Sequence, residues 1–515
     1  MFWFIAKKDF LLNLISARFI IGFLLCIVII PFTVIVSTDN YLGQVQVYKV
    51  EKERAEKEFK EIRVWSALRP AVVIEPAVLS IFSTGISGNI GNISRINLGV
   101  YPLFPSGNVI TRDNPLLNSF FTTDFSKVIA ILISLIALVF SYDAITRERE
   151  EGTMKLTLTG KISRITFLFG KLTGLLITLL PILVFCYMLA CLIVMVNPEI
   201  SLSASDWVGI LILFLTSIIY MLVFILIGLL ISSLVSRSSS SIILSLLCWI
   251  WFLFLLPNIS TYLSQSIVKT PLYDNVQIAM NEYDKEYWKE YGEVSERVRN
   301  ELNLTGLSHW NYNGGGDGYS EMSGTMKEVV LFHQRMSSWE SPALTNYADK
   351  KWTIQQNYLE GLVRQQNWQQ RIAWLSPSGI FGQATDALCR TDMQSFLKYM
   401  ERVRQYRETF IRHYTDKKLF ESVTYFTAEP FETLLSEAEV EAMGEEKYWK
   451  MMNDKGIYNQ KYPFLNTDEV PRFESQQASL GSIISGATGR LAALLGLMVA
   501  LLLGTIAAFM KYDVR

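Results

Sequence analysis

The sequence predicts an all-α polytopic membrane protein. It has six transmembrane helices, a large and mostly helical extracytoplasmic domain between helices 5 and 6, and a smaller insertion between helices 1 and 2. Three observations predict this. Half of the 515 residues are hydrophobic, yet 18% are charged, a mixture that fits several apolar spans plus a sizeable water-exposed portion. Six stretches approach the roughly 20 mostly apolar residues that a spanning helix needs: 19–36, 125–142, 172–196, 208–233, 241–257 and 491–510. Lysine and arginine gather at alternate joins between them. The formal net charge of −1 gives no whole-chain reason to expect nucleic acid as a partner.

Residues 1–18 place Trp3, Ala6, Phe10, Leu11 and Leu14 at helical spacing, with Lys7, Lys8, Asp9 and Asn13 between them. This reads as an interfacial helix lying on the cytoplasmic leaflet, carried by Trp3, Lys7, Lys8, Phe10 and Leu11. The span after it lacks a small-x-small cleavage site, so it is expected to stay as an anchor. None of the six spans contains Asp, Glu or Arg, and the one lysine, Lys127, sits at an end where it can snorkel.

Lys7, Lys8 and Arg18 precede the first span, and Arg237 follows the fourth. Lys511 and Arg515 follow the sixth. Arg147, Arg149, Lys155, Lys161, Arg164 and Lys171 fill the join 143–171, whereas the join 197–207 has Glu199 and Asp206 and no cation. Both termini are therefore expected in the cytoplasm, with 37–124 and 258–490 outside.

In the first outside segment, 50–64 is charged and helix-compatible. Arg69-Pro70, Pro76 and the glycines of 85–91 then break regularity. The second segment is long enough for a folded domain. Helices are expected over 274–302, 326–336, 343–373 and 392–420. A glycine-rich loop is expected over 311–324, a stop at Ser376-Pro377-Ser378-Gly379, and an extended return marked by Pro463 and Pro471.

Several chemistries lack their residues. No phosphate-binding Gly-x-x-x-x-Gly-Lys-Ser/Thr loop is present; Gly170-Lys171 is followed by Leu172 and lacks the upstream glycine. If ATP drives this protein, another chain binds it. No ionisable residue lies at a span centre, where an ion-coupled carrier usually keeps one. His309, His333 and His413 are scattered and form no His-Glu-x-x-His pair, and no Gly-x-Ser-x-Gly elbow exists. Four of the five cysteines lie in spans; the fifth, Cys389, reads as a buried structural thiol. Glu437 and Glu439 read as a solvated helix face.

The join after the second span holds the densest signal. An uncharged run ends at Asp143 and is followed by Arg147-Glu148-Arg149-Glu150-Glu151, then Gly152 and Thr153. A charged loop held between two membrane helices is suited to receive force from a partner.

The stretch 124–171 resembles the second span, coupling loop and start of the third span of ABC-2 type permeases. The matching pieces are Ser141-Tyr142-Asp143-Ala144-Ile145, Glu148-Arg149-Glu150-Glu151-Gly152-Thr153, Ser163-Arg164 and Gly170-Lys171. Other pieces are similar to the gliding-motility-type branch with large outside insertions. They are Glu75-Pro76-Ala77-Val78-Leu79-Ser80-Ile81-Phe82 with Gly85, Leu375-Ser376-Pro377-Ser378, Thr391-Asp392 and Val470-Pro471-Arg472-Phe473. Ala77 and Val78 stand where that branch often has more proline.

The resemblance implies a permease subunit of an exporter in a bacterial inner membrane. It implies two copies of an ATP-binding subunit that hold ATP and Mg²⁺, and a second permease, identical or sister. This chain would bind no cofactor or metal and catalyse nothing by itself. The expected ATPase contact is Arg147, Glu148, Arg149, Glu150, Glu151, Gly152, Thr153 and Lys155, with Lys161 and Arg164, and with the interfacial helix beside it. The outside domain would meet cargo, a periplasmic protein or a lipoprotein. Two alternatives stand beside transport: an ATPase-driven mechanotransmission device, and a membrane-anchored receptor or enzyme that uses the outside domain.

Overall fold

A computed structural model describes residues 2–87, 93–101, 124–154, 157, 162–304, 312–315, 319–322, 326–454, 462–474 and 480–511. The short helix α1 (Phe2–Leu14) precedes α2 (Ala17–Lys60). Then come α3 (Phe125–Ser141), the single turn α4 (Thr146–Glu150), α5 (Arg164–Val196) and α6 (Ala204–Leu234). Helix α7 (Ser238–Ile250) runs through a π-helical turn, Trp251–Leu255, into α8 (Leu256–Ile267). The last helix, α15 (Leu480–Met510), returns to the bundle. Among the described residues six helical units are long and apolar enough to cross a membrane: α2, α3–α4, α5, α6, α7–α8 and α15.

Helices α3 and α6 form the centre of the bundle, with Ile129, Ile133, Ala137, Tyr220, Met221 and Phe224 almost fully buried. Lipid is as apolar as leucine, so close packing rather than water exclusion holds such helices together. Small residues permit it here. Gly22 of α2 faces Ile136, and Gly209 of α6 faces Leu79.

The first span and the charged stretch beyond it form one helix. Helix α2 continues for 44 residues. Pro31 lies inside it without ending it, and Thr33 Oγ1 donates to Ile29 O nearby (2.9 Å). At its far end Phe59 enters a second core with Ile62, Val72, Tyr399, Val403 and Phe410.

That core unites segments far apart in sequence. Strands β1 (Ala71–Val73) and β2 (Ile93–Arg95) pair antiparallel, with Val72 opposite Ser94. They pack on α12 (Met393–Asp416), whose Tyr399 hydroxyl donates to Ser94 Oγ (2.9 Å). The extended return closes the same unit: Leu465 N–H donates to Ile62 O (2.8 Å) and Tyr406 OH to Pro471 O (3.0 Å). The two segments expected outside thus form one distal domain, at the ends of the spans away from α4.

Three local expectations change. The stretches 326–336 and 343–373 are a single helix, α10 (Lys327–Ala373), which runs through Pro342 and packs against α9 (Tyr273–Glu301). The described parts of the expected loop 311–324 form a hairpin, β3 (Tyr312–Gly315) with β4 (Tyr319–Met322). Ser376 does end α10, and its side chain also caps α11 (Pro377–Leu388), with Pro377 in the first turn. Small helices α13 (Glu437–Met443) and α14 (Glu445–Asp454) complete the domain, and Glu439 closes a capping box with Ser436.

Helix α11 packs among the spans, against α15, α6 and α3. Its Phe381 stacks on Tyr220, ring centroids 4.4 Å apart. Tyr220 lies about 24 Å along α6 from the distal end at Ala204, counting about 1.5 Å per residue. Helix α11 thus starts at mid-bundle and climbs back toward the distal end.

Its anchor is a carbonyl freed by the π turn. Leu256 N–H bonds back to Trp251 O rather than to Phe252 O. Ser376 and Ser378 hydroxyls donate to Phe252 O instead, the second at 2.6 Å. Cys389, just beyond α11, is fully buried.

Candidate functional site

Helix α3 ends against α6, and the chain then turns through Tyr142–Ile145 into α4. Ser232 at the end of α6 holds that turn: its hydroxyl oxygen accepts the Ile145 and Thr146 N–H groups, both at 3.1 Å. The two donors belong to the start of α4, where backbone N–H groups lack intrahelical partners. From α7, Ser241 Oγ donates to Tyr142 O (2.6 Å).

The charges of the block divide by orientation. Arg149 points inward and donates to Val235 O (2.9 Å) and Ser233 O (3.4 Å), satisfying two carbonyls at the end of α6. Glu150 accepts from the Ser238 N–H (2.8 Å) and Ser238 Oγ (2.7 Å), which holds the start of α7. Arg147 and Glu151 face outward and pair with each other at 2.9 Å, their side chains 62% and 52% exposed. Gly152 follows at φ 73°, a left-handed turn that suits glycine and ends α4. Thr153 Oγ1 donates to Glu148 O (3.3 Å). Lys155 and Lys161 lie outside the described residues. Arg164, at the start of α5, donates instead to Met510 O at the end of α15 (2.6 Å).

Glu148 is turned inward, into a buried ion cluster. Lys171 Nζ of α5 lies 2.6 Å from Glu148 Oε1 and 3.0 Å from Asp9 Oδ2 of α1. The three side chains are only 5%, 11% and 10% exposed. Lys8 approaches Glu148 from the surface at 3.5 Å. Burial raises the Asp9 carboxyl above its ordinary value even against the pull of Lys171. The sequence puts Asp9 on the polar face of α1; it lies instead on the protein-facing side with Ile5 and Ala6.

Helix α1 gets close enough because α5 presents two glycines one turn apart. A Cβ on Gly170 would come within 2.9 Å of Ile5, and one on Gly174 within 3.0 Å of Asp9. The opposite face of α1 exposes Trp3, Phe4, Leu11 and Leu12, as an interfacial helix would; Lys7 is also exposed and Phe10 is half-buried. A second ion pair fixes the start of α2. Arg18 Nη2 donates to Asp143 Oδ2 (2.9 Å) and to Tyr142 OH (2.9 Å), and Nη1 donates to Val139 O (3.2 Å).

The structure therefore brings Arg147–Thr153 and the interfacial helix together and adds Asp9, Arg18, Asp143, Lys171, Ser232 and Ser238. Asp143 and Lys171 fall in stretches that carry the resemblance, whereas Asp9, Arg18, Ser232 and Ser238 are ordinary in their local sequence contexts. For Lys171 the signal is Gly170-Lys171, a glycine and a cation opening a span. Among the described residues no group of three or more His, Cys, Asp or Glu side chains is placed to hold a metal ion.

Among the described residues, then, six units are long and apolar enough to cross a membrane, and a charged turn is locked between the second and third. The chain matches the family model described as ABC-2 family transporter protein over residues 3–514, and it belongs to that family. It is a multi-pass membrane protein and a permease component of an ABC transporter. Comparison with curated proteins gave no match.

Proposed function

We propose that this chain is the permease subunit of an ATP-driven exporter, moved through α4 by a separate ATP-binding subunit. Two copies of that subunit would hold ATP and Mg²⁺, and a second permease, identical or sister, would complete the pathway. Both termini would lie in the cytoplasm of a bacterial inner membrane. The observation that carries this reading is the Asp9–Lys171–Glu148 cluster beneath the exposed Arg147–Glu151 pair. A turn that only set topology has no need of three buried charges tying it to α1 and α5, since burying charge is costly unless it is paired. With that tie, a push on α4 moves α5 and α1 together.

The test is copurification of an ATP-binding protein after mild detergent extraction, with wild type and with Arg147→Glu plus Glu151→Lys. The swap leaves an opposite-charge pair on α4 and reverses what a partner meets. Retention by wild type and loss in the swap, with membrane insertion intact, supports the reading. Equal retention by both, or none by wild type under conditions that keep the fold, rejects it.

One feature favours mechanotransmission as the second reading. Helix α2 runs unbroken from Arg18, which holds Asp143, to Phe59 in the distal core. The distal domain would then move a protein or lipoprotein partner rather than bind cargo for passage.

A further inference from the structure

Helix α11 is joined to the first distal segment by a short set of contacts at the distal ends of the spans. Ser83 Oγ donates to Asp386 Oδ1 (2.7 Å), and Ile86 N–H donates to Thr391 O (2.9 Å). Gly85, at φ 47°, lies so close to Thr391 that its Cβ would fall 2.9 Å from the threonine Cβ. Thr84 N–H and Oγ1 both donate to Asp124, the residue that caps α3 (3.1 and 3.0 Å). The contacts clamp segment 83–87 between α3 and the α11–α12 join.

Four aspartates meet here, and three have a cation. Asp124 pairs with Lys127 of α3 (3.4 Å). Asp392, the cap of α12, pairs with Arg490 of α15 (3.2 Å). Asp206 of α6 pairs with Arg390 of the α11–α12 join (3.6 Å). Among the described residues Asp386 has no ion pair; its partner is the Ser83 hydroxyl. The hydrogen bond that Ser83 donates favours its charge, as Lys127 does, Asp124 and Asp392 oppose it, and the Cys389 thiol lies near on its own chain segment.

We propose that Asp386 is a proton-operated latch: protonated, it holds α11 to segment 83–87, and ionised it releases them. Burial, with the neighbouring carboxylates adding to it, outweighs the Ser83 hydrogen bond and pushes its pKa up from 3.8 to about 7. The carboxyl therefore changes charge near neutrality. Ionisation places an unpaired anion beside Asp124 and Asp392, which favours separation of the clamp. Since α11 reaches from mid-bundle to the distal end, opening this contact frees the distal mouth of the bundle. Its significance for the pumping cycle rests on the permease reading above, whereas the latch does not.

The test is hydrogen exchange on the full-length protein in nanodiscs. It follows the Thr84, Ile86 and Thr391 amides from pH 5.5 to 8.5, corrected for intrinsic exchange rates. Wild type should lose about tenfold in protection through a step near pH 7. Asp386→Asn, close to isosteric and always neutral, should remain protected throughout. Ser83→Ala removes a bond that favours the charged carboxyl, so its step should move to higher pH. A wild type without a step overturns the proposal whatever the variants do. The same step in Asp386→Asn overturns it too, by assigning the titration elsewhere. No ATP-binding partner enters the measurement, so failure of the exporter reading leaves it intact.

Discussion

Gly228 of α6 lies directly under Ser141 at the end of α3: a Cβ on the glycine would fall 2.8 Å from the Ser141 Cβ and nearer still to its hydroxyl oxygen. No rotamer of a serine escapes a clash at its own Cβ, so backbones must move. Gly228→Ala is expected to destabilise the bundle by about 1–3 kcal/mol, read as a lower thermal midpoint in detergent. Adding Ser141→Gly should recover most of the loss. Recovery distinguishes this contact from a general intolerance of alanine in α6.

Removing Lys171 alone should be worse than removing the whole cluster. Lys171→Met leaves two buried carboxylates facing each other, an arrangement costing about 3–5 kcal/mol. The triple variant Asp9→Asn, Glu148→Gln, Lys171→Met removes the charges together and should regain much of that stability. Thermal unfolding of both variants checks the order. The same logic makes Glu148→Lys unsuitable as a surface probe, since it sets a second cation against Lys171.

Ser376→Ala with Ser378→Ala should leave the Phe252 carbonyl without the hydroxyls that now serve it. A buried acceptor stripped of its partner costs about 1–3 kcal/mol. The effect should concentrate in α11, so limited proteolysis near 374–379 should speed up more than cleavage in α12. Equal acceleration at both places would show that the serines matter to the domain as a whole.

His333 sits between Phe332 and Phe426, and burial, with Arg299 adding to it, lowers its pKa from 6.5 to about 4. The unfolded chain therefore binds the proton more readily. Stability from this group is complete above about pH 6.5 and falls as pH drops toward 4. His333→Gln should flatten the acid limb of the stability profile in that window and leave the profile above pH 7 unchanged. Urea unfolding at several pH values measures it.

The spans are legible in the sequence because each is a long uncharged run, and little besides a membrane helix keeps so many apolar residues in a row. Helix α12 of the distal domain is legible for a similar local reason, with Asp392 at its start, whereas Ser376 reads only as a stop and also starts α11. Helix α10 reads as two helices because proline usually ends a helix, whereas here Pro342 lies within it and the helix continues. The hairpin of β3 and β4 is too short and glycine-rich to show alternation. Helix α11, at 12 residues, is below any length that marks a membrane-embedded element. Lys171 and Asp9 are 162 positions apart, and no local pattern joins them. Glu148 reads as a surface charge because it stands in an unbroken charged run, Arg147–Glu151; within a single turn of helix that run meets both environments.

The unbroken course of α2 sets a ratio between what happens at its two ends. Forty-four residues at about 1.5 Å each make a rod of about 66 Å. Arg18 fastens its base to Asp143, and Phe59 seats its tip in the distal core. Pivoted at the base, a tilt of about 5° carries the tip about 6 Å, which is more than one turn of helix. A tilt of that size started at α4 would displace the distal core enough to change which surfaces meet there. The helix would then act as a lever arm pivoted near Arg18, with Pro31 the one place inside it where a ladder bond is unmade.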